Sequence, residues 1–495
     1  MLHFETCYRA LQTRDPRFDG RFFTAVRTTG IFCRPICPAP TPKPENCQFF
    51  TSAAAAHAAG FRPCLRCRPE LSPDLLLYVT TASTVNQALR LIGEGFLDQA
   101  GVVELANRLG VGDRHLRRLF DQHLGVSPVA VAQTRRMLFA KQLIDQTTLP
   151  ITDIAIAAGF QSLRRFNAAI LATYQKSPRE LRRLQVVEQP APAAEIQLKL
   201  TFQPPYHWDA LVHFLKPRLM TGVERITSAS YCRSIELEGA QGAVLVRPVP
   251  NADYLLAQIC FPKVTALNQI VERLRQLFDL RANVGEVAAH LQADPQLCLS
   301  VAVLPGLRIP GCWDPFELAV RAILGQQVSV SAAATLASRL VQRYGKPFCL
   351  EGANQQWVAA IDLSAIFPDP AILAEADLTE IGITSARACA IQALAAKVAT
   401  DRQFFQKLGD LAAAVEKLCE LPGIGFWTAH YIAMRALREP DAFPSSDLGL
   451  RRTFDPPMST RTLEARSQVW RPWRAYAAMH LWMMNFSVDQ KEKIS

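Results

Sequence analysis

Two groups of residues in this 495-residue chain have the types and spacings that chemistry requires. The first is Cys33-x3-Cys37, followed after twenty-six residues by Cys64-x2-Cys67. Cysteine pairs at such intervals in a chain without a disulfide pattern make a four-thiolate tetrahedral site, for which zinc is the expected metal. Four thiolates around one divalent cation leave about two negative charges, and Arg34, Arg62, Arg66 and Arg68 stand beside the ligands to offset them. A closed site of this kind is commonly structural. A metal-bound sulfur nevertheless stays a thiolate at neutral pH, and thiolates are nucleophiles, so spacing alone leaves both roles open.

The second group lies in residues 421–447, LPGIGFWTAHYIAMRALREPDAFPSSD. Gly423 and Gly425 are expected to supply the positive φ of a tight turn that opens a helix whose first amides lack partners. Such amides hold phosphate without a basic side chain. Trp427 and Tyr431 fall on one helical face at i, i+4 spacing and form a stacking wall. A single acid, Asp447, follows twenty residues beyond Trp427. Taken alone, the stretch is either a DNA-backbone clamp beside a catalytic carboxylate or one more buried helix turn with a capping Asp.

The elements that position these groups belong to several domains, since 495 residues suffice for three or four of ordinary size. The sequence has no run of eighteen apolar residues, and its opening MLHFETCYRALQTRD shows no basic segment leading into an apolar one. A cytoplasmic chain with no membrane partner is the expectation. Of thirteen cysteines, nine (Cys7, Cys47, Cys232, Cys260, Cys298, Cys312, Cys349, Cys389, Cys419) show no pairing pattern and are expected to be reduced core thiols. The net charge of +10 is uneven. Residues 1–80 hold ten basic and six acidic side chains and residues 81–184 hold fourteen and eight, so the remaining 311 residues are neutral overall. A basic first third suits a polyanion, whereas the neutral remainder must hold DNA by amides and shape if it holds DNA at all.

In residues 1–80, RTTGIFCRPIC (27–37) with FRPCLRC (61–67) resembles the amino-terminal methylphosphotriester methyltransferase domain of Ada-type proteins. The resemblance implies that the first cysteine of the set, Cys33, accepts a methyl group from alkylated DNA phosphate, with Arg34 and Arg62 near the DNA. A methylated phosphate is neutral, so an anionic thiolate site does not repel it.

Residues 84–184 contain an internal repeat, since Leu105-Ala106-x3-Gly110-Val111 recurs as Ile154-Ala155-x3-Gly159-Phe160. A small residue at a helix crossing, a glycine at the turn and then a basic helix are what a helix-turn-helix requires. The second helices place Arg114, Arg117, Arg118 and Arg164, Arg165 near their amino-terminal halves, where a major groove would meet them. Either basic helix alone could be a merely solvated face. The two halves together, with LGVSP and KSPRELRR after them, resemble the AraC-type DNA-binding domain.

Residues 185–195, rich in Pro and Ala, are predicted to form a linker between two modules. Beyond it, alternating β-rich segments around a helix at 208–219 predict a small antiparallel α+β subdomain over 196–285, and helical periodicity takes over from about 267, giving an all-α domain over 286–495. CWDPFELAVRAILGQQVSV (312–330), the hairpin stretch with Asp447, and WRPWRAYAAMHLW (470–482) resemble, in that order, the helix-hairpin-helix DNA glycosylases of the 3-methyladenine glycosylase II type. That resemblance implies a cleft between two helical subdomains, a base pocket of Trp427, Tyr431 and Trp482, and Asp447 as the catalytic carboxylate. It places Gln327 where relatives carry an intercalating wedge, and a polar Gln gains little from stacking. Trp427 stands where lyase-competent relatives carry a Schiff-base lysine, and no cysteine follows Cys419, so neither strand cleavage nor an iron–sulfur loop is expected. His480, on the same Trp- and Met-rich helix, is expected to be a packed core residue.

The whole predicts a multidomain α+β protein that repairs alkylated DNA by monofunctional base release and by stoichiometric methyl transfer, and that regulates transcription. Its expected partners are zinc, double-stranded DNA and RNA polymerase. A damage-sensing regulator with an inactive glycosylase-like half, and a metal-responsive repressor, are the competing readings. The second of these leaves the hairpin and Asp447 unexplained.

Overall fold

The computed structural model describes residues 3–73, 83–184, 195–350 and 362–492, with backbone alone for Ser83 and residues 485–492. Residues 185–194 of the predicted linker lie outside the described residues.

The first domain is a four-stranded sheet ordered Cys47–Phe50, Phe23–Val26, Ile31–Cys33, Arg62–Pro63, flanked by the helix Phe4–Thr13. Phe23, Ala25 and Phe32 pack on Ala56. Gly30, at φ +65°, turns the chain between the first two antiparallel strands, and Thr24 pairs with Cys33 at the strand end. The amide of Cys64 donates to the Phe32 carbonyl at 3.0 Å, so sheet pairing brings the two cysteine pairs together.

The repeat folds as two helix-turn-helix units, Val102–Arg108 with Asp113–Leu124 and Ile151–Ala157 with Leu163–Tyr174. The repeated glycines sit in the turns at φ +68° (Gly110) and +85° (Gly159), where a side chain would be strained. The helix Pro128–Gln146, capped by Ser127, joins the units. Arg135 and Arg136 of that helix both pair with Asp98.

Next comes a five-stranded antiparallel sheet ordered Ile196–Thr201, Tyr254–Cys260, Ala240–Pro248, Tyr231–Leu237, Glu224–Ile226. Its apolar face covers the helix Trp208–Leu215 and shares one core with residues 267–313 and, after a long excursion, with residues 433–481. A second core joins residues 316–432. The cores therefore part near residue 314, and not at the predicted 285/286 boundary. The helices Leu267–Leu277, Val284–Leu291 and Cys298–Val303 do follow the sheet in helical periodicity, but their apolar sides bury in the core that the sheet belongs to, which periodicity cannot reveal. The predicted all-α part also contains a short ladder, Lys346–Pro347 with Ala365–Ile366.

The two halves of the chain are packed together. Apolar residues of the second helix-turn-helix unit, including Phe166, Ile170 and Tyr174, belong to the same core as the sheet. Gln142 Nε2 donates to the Lys199 carbonyl at 2.9 Å, and Asn268 Nδ2 to the Gly93 carbonyl at 2.8 Å.

All thirteen cysteines are free. Of the nine expected in the core, Cys7, Cys47, Cys232 and Cys260 are buried, whereas Cys298, Cys312 and Cys419 are half-buried and Cys349 and Cys389 exposed. Cys389 lies on the outer side of the Ala-rich helix Ser385–Thr400, where small residues on every side hide the inward face from a sequence reading. No helix among the described residues is long and apolar enough to cross a membrane.

Candidate functional site

Trp427, Tyr431, Asp447 and Trp482 converge on one cavity of about 1050 Å³ between the two carboxy-terminal cores. Trp427 and Tyr431, one turn apart on the helix Phe426–Arg435, stack with ring centroids 5.3 Å apart and planes 13° apart. Trp482, from the long helix Arg474–Glu492, meets Tyr431 edge-on at 6.3 Å. Asp447 is the N-cap of the helix Leu448–Arg452 and accepts the Leu450 amide at 3.0 Å. It also accepts the indole N–H of Trp427 on Oδ2 at 2.8 Å and that of Trp482 on Oδ1 at 3.0 Å. The capping role and the site role thus coexist. All three donors are neutral, so the carboxyl group is held in place by hydrogen bonds and not by an ion pair.

The hairpin supports the expected turn at one glycine only. Gly423 has φ +73°, and a Cβ there would lie 2.7 Å from the Cβ of Ala390, so both conformation and space require glycine. Gly425 instead has φ −95°, an ordinary N-cap conformation, and a Cβ would meet nothing within 4 Å. Its bareness leaves the helix N-terminus open to an approaching group, with no side chain capping the first amides. Gln327 sits exposed at φ +54° in the turn between Pro315–Leu324 and Val330–Tyr344. Its neighbour Gln326 donates to the Gly423 carbonyl and to Thr428 Oγ1, each at 2.9 Å, so this turn and the hairpin are hydrogen-bonded to each other.

Three arginines at the cavity were not among the expected site residues. Arg435 donates to the Tyr431 hydroxyl at 2.7 Å and to the carbonyls of Pro310 and Gly311 at 2.8 and 3.0 Å. Arg218 stacks over the Phe214 ring at 3.8 Å, and Arg321 is paired with Glu224 and Glu317. Burial would raise the Tyr431 phenol, but the guanidinia of Arg435 and Arg218 outweigh it and bring the phenol below its ordinary range. Only the Tyr431/Arg435 spacing of four was visible in sequence; Arg218 lies more than two hundred residues away. His480 is buried, hydrogen-bonded with Ser300 at 2.9 Å and pushed down to about 4 by burial, which bears out its reading as a core residue. A second cavity, of about 820 Å³ behind the hairpin, is lined by Asp410, His430 and Glu439 and contains none of the expected site residues.

In the amino-terminal domain the sulfurs of Cys33, Cys37, Cys64 and Cys67 lie within 4.8 Å of one another. Hydrogen bonds to the neighbouring sulfurs hold Cys33 and Cys67 above the usual thiol range, while the bond with Cys33 chiefly brings Cys37 down to about 7. Sulfurs so close compete for one negative charge, and a divalent cation would relieve that competition, so the donor set fits zinc. Cys33 alone of the four is half-exposed; the others are buried. The Arg34 amide donates to Cys67 Sγ at 3.3 Å. The Arg34 side chain turns inward, pairing with Asp19 and donating to the Cys67 carbonyl at 3.2 Å, so its charge is partnered inside the domain. Arg68 is likewise tied to Glu70 at 3.2 Å and to Asp145 at 2.7 Å. Arg62 is half-buried and Arg66 exposed. In the helix-turn-helix units, Arg114, Arg117, Arg118, Arg164 and Arg165 are all exposed, while Leu116, Phe120, Phe166 and Ile170 on the opposite sides are buried.

Comparison with known proteins divides the chain in the same way. Residues 6–70 match the metal-binding domain of Ada, 105–184 a helix-turn-helix domain, 197–314 the AlkA N-terminal domain, and 320–473 the HhH-GPD superfamily of base excision DNA repair proteins. A probable bifunctional transcriptional activator/DNA repair enzyme AlkA of Mycobacterium tuberculosis is 40% identical over 97% of this chain and 96% of its own length. DNA-3-methyladenine glycosylase 2 of Escherichia coli is 33% identical over 57% of this chain and 95% of its own. The bifunctional activator/repair enzyme Ada of the same organism is 36% identical over 31% of this chain and 42% of its own. The 3-methyladenine DNA-glycosylase of Archaeoglobus fulgidus shares the fold, with a TM-score of 0.50 at 21% identity over 58% of this chain and 97% of that one.

Proposed function

Since the chain belongs to the family of AlkA-type bifunctional transcriptional activator/DNA repair enzymes, we propose that its cleft releases alkylated bases with Asp447 as the catalytic carboxylate. The protein is a DNA glycosylase of the 3-methyladenine type joined to a zinc-binding, methyl-accepting domain and a helix-turn-helix regulator, and its partner is DNA. The observation that most supports the assignment of the site is the pair of indole donations that hold Asp447 at the wall of the cavity. A base must leave the helical stack before it can reach such a pocket. Trp427, Tyr431 and Trp482 offer π-faces to a cationic alkylated purine, worth roughly 0.5 to 2 kcal/mol per contact. Alkylation at a ring nitrogen also makes the base a good leaving group. As its bond to C1′ breaks, the sugar becomes oxocarbenium-like, and Asp447 stabilises that charge or guides the incoming water. With Trp427 in place of a lysine nucleophile, the reaction ends at base release.

The open amides of the hairpin helix would hold a DNA phosphate near Gly423 and Gly425, and Gln327 would fill the gap left by the base. Arg114, Arg117, Arg118, Arg164 and Arg165 would face the major groove of a promoter. We assign methyl acceptance to Cys33, the half-exposed sulfur: its S–C bond forms as the methyl C–O bond of the triester breaks, leaving an ordinary diester. Cys33, Cys37, Cys64 and Cys67 would hold the zinc, which keeps the accepting sulfur a thiolate. The free thiols suit the reducing cytoplasm, and as an activator the protein would engage RNA polymerase. The domains we propose are 1–80, 84–184, a sheet subdomain from 196 to about 314 and a helix-hairpin-helix part beyond it.

The test is incubation of the full chain with methylated duplex DNA, followed by separate analysis of released bases and strand breaks. Free base without nicking is the expected result. No base release would favour a damage-sensing regulator whose glycosylase half is inactive.

A further inference from the structure

The cavity is electrically asymmetric in a way the aromatic wall does not explain. Asp447 lies at the indole nitrogens of Trp427 and Trp482, while two guanidinia, Arg435 and Arg218, lie by the hydroxyl of Tyr431. Arg321 beside them is neutralised by Glu224 and Glu317. Among the described residues no carboxylate lies within 4.0 Å of the Arg218 side chain, which lines the cavity. It donates to the Phe214 carbonyl at 2.7 Å, is hydrogen-bonded to the Tyr431 hydroxyl, and lies 3.8 Å over the Phe214 ring. Phe214 in turn lies 6.1 Å from Trp482, so Arg218 is built into the same aromatic wall as the residues around Asp447. A guanidinium stacked on a ring keeps its N–H donors in the plane of its fork, and this one lies at the cavity wall beside the Tyr431 hydroxyl.

We propose that Arg218 sets the charge preference of the pocket, donating hydrogen bonds to electron-rich edges of the base and stabilising a neutral lesion as it leaves. The inference rests on the glycosylase reading of this cleft. When the C1′–N bond breaks, its electron pair goes to the base. A cationic alkylpurine leaves as a neutral molecule and gains nothing from a nearby cation. A neutral damaged base leaves as an anion, takes up a proton from water while the hydroxyl of that water joins C1′, and needs positive charge beside it in the transition state. Arg218 therefore opposes binding of cationic bases and assists departure of neutral ones, extending the pocket beyond selection by π-faces.

The experiment compares single-turnover base release by the full chain from two duplexes that differ only in the lesion, 7-methylguanine as the cationic base and hypoxanthine as the neutral one. Removing one preorganised donor commonly costs about a hundredfold. Arg218→Met is expected to slow hypoxanthine release at least about tenfold more than it slows 7-methylguanine release, and Arg218→Lys, which keeps charge but not the planar fork, to shift the ratio less. Equal slowing of both lesions by Arg218→Met, an unchanged ratio, or no hypoxanthine release by the parent chain would overturn the proposal. Absence of release of either base by the parent would instead remove the glycosylase reading on which it stands.

Discussion

Trp427 donates its indole N–H to Asp447 across 2.8 Å, so the ring that walls the cavity also fixes the carboxylate. Each residue solves a problem for the other. The indole places its polar edge without an unpaired N–H, and the carboxylate is oriented without a cation that would cancel its charge. Trp482 completes the arrangement from the far end of the sequence by donating to the second carboxylate oxygen at 3.0 Å.

Replacing Asp447 by Asn preserves a good helix N-cap, since the two residues cap about equally well. It removes the charge and sets an amide N–H against one of the two indole donors. Base release from methylated duplex is expected to fall by about a hundredfold or more. The lost hydrogen bond should cost on the order of 1 kcal/mol of stability, a small shift in thermal melting. Chromatography of released bases alongside a melting curve checks both, and release at the parent rate would show that Asp447 is not the catalytic carboxylate.

Arg164 and Arg165 are exposed at the start of the second recognition helix, and their substitution by Gln should separate the two DNA-binding tasks. Promoter binding is expected to weaken at least about tenfold, since a good side-chain contact to a base is worth roughly 1 to 3 kcal/mol. Each lost phosphate contact would also make the log–log salt dependence shallower by about 0.9. Base release from alkylated duplex without the promoter sequence should stay within about twofold of the parent. A parallel loss of base release would mean that one surface serves both tasks.

The parts that were legible from sequence share a physical cause, which is that their constraints are local. The cysteine intervals, the repeated Ala and Gly of the helix-turn-helix units and the i, i+4 aromatics each fix a geometry within a few residues, and the structure keeps all of them. What was not legible depends on contacts between distant segments. Gly425 resembles Gly423 in sequence, but only Gly423 meets Ala390 across a helix pair. Arg34 looks like a free cation until the fold brings Asp19 to it. The joining of residues 433–481 to the sheet core depends on a return of the chain that no period announces.

Lys141 lies 3.6 Å from Glu70 and is ion-paired with Asp145, and both acids also meet Arg68. All but Arg68 are buried, at the contact of the zinc-binding domain with the helix joining the two helix-turn-helix units. Removing one partner of a buried pair costs about 3 to 5 kcal/mol, because the other charges stay buried. Lys141→Met should therefore lower the melting temperature, and the loss should depend on pH. Burial already raises Glu70 above its ordinary pKa, helped by repulsion from Asp145 and resisted by Lys141 and Arg68; without Lys141 it rises further. A folded state that holds this proton more tightly than the unfolded chain loses stability as pH climbs. The deficit should be smallest near pH 5 and larger near pH 8, and equal deficits at the two would exclude Glu70 as the cause.

Methylation of Cys33 is expected to act as a switch through charge. The methyl carbon passes from phosphate oxygen to sulfur, a thiolate becomes a thioether, and the four-sulfur site changes from about −2 to about −1. For a site about 8 Å from a DNA phosphate, one unit of repulsion removed is worth roughly 0.5 kcal/mol in water and about 2 kcal/mol at an effective dielectric of 20. Promoter affinity should therefore rise about two- to thirtyfold, a factor of ten corresponding to about 1.4 kcal/mol. Because Arg34 and Arg68 are already paired with Asp19, Glu70 and Asp145, the charge of the sulfurs is left to act at Cys33, the one of the four that is half-exposed. Transfer should be stoichiometric, with one methyl per chain, since a return step would have to break the C–S bond of a neutral thioether and expel a thiolate. The measurement combines peptide mass analysis with titration of a promoter duplex before and after exposure to methylphosphotriester DNA. A methyl mass on Cys37, Cys64 or Cys67 in place of Cys33 would refute the assignment, and unchanged affinity with Cys33 fully methylated would refute the switch. Cys33→Ala is the weaker experiment, because loss of a zinc ligand can unfold the whole domain and so abolish binding for an unrelated reason.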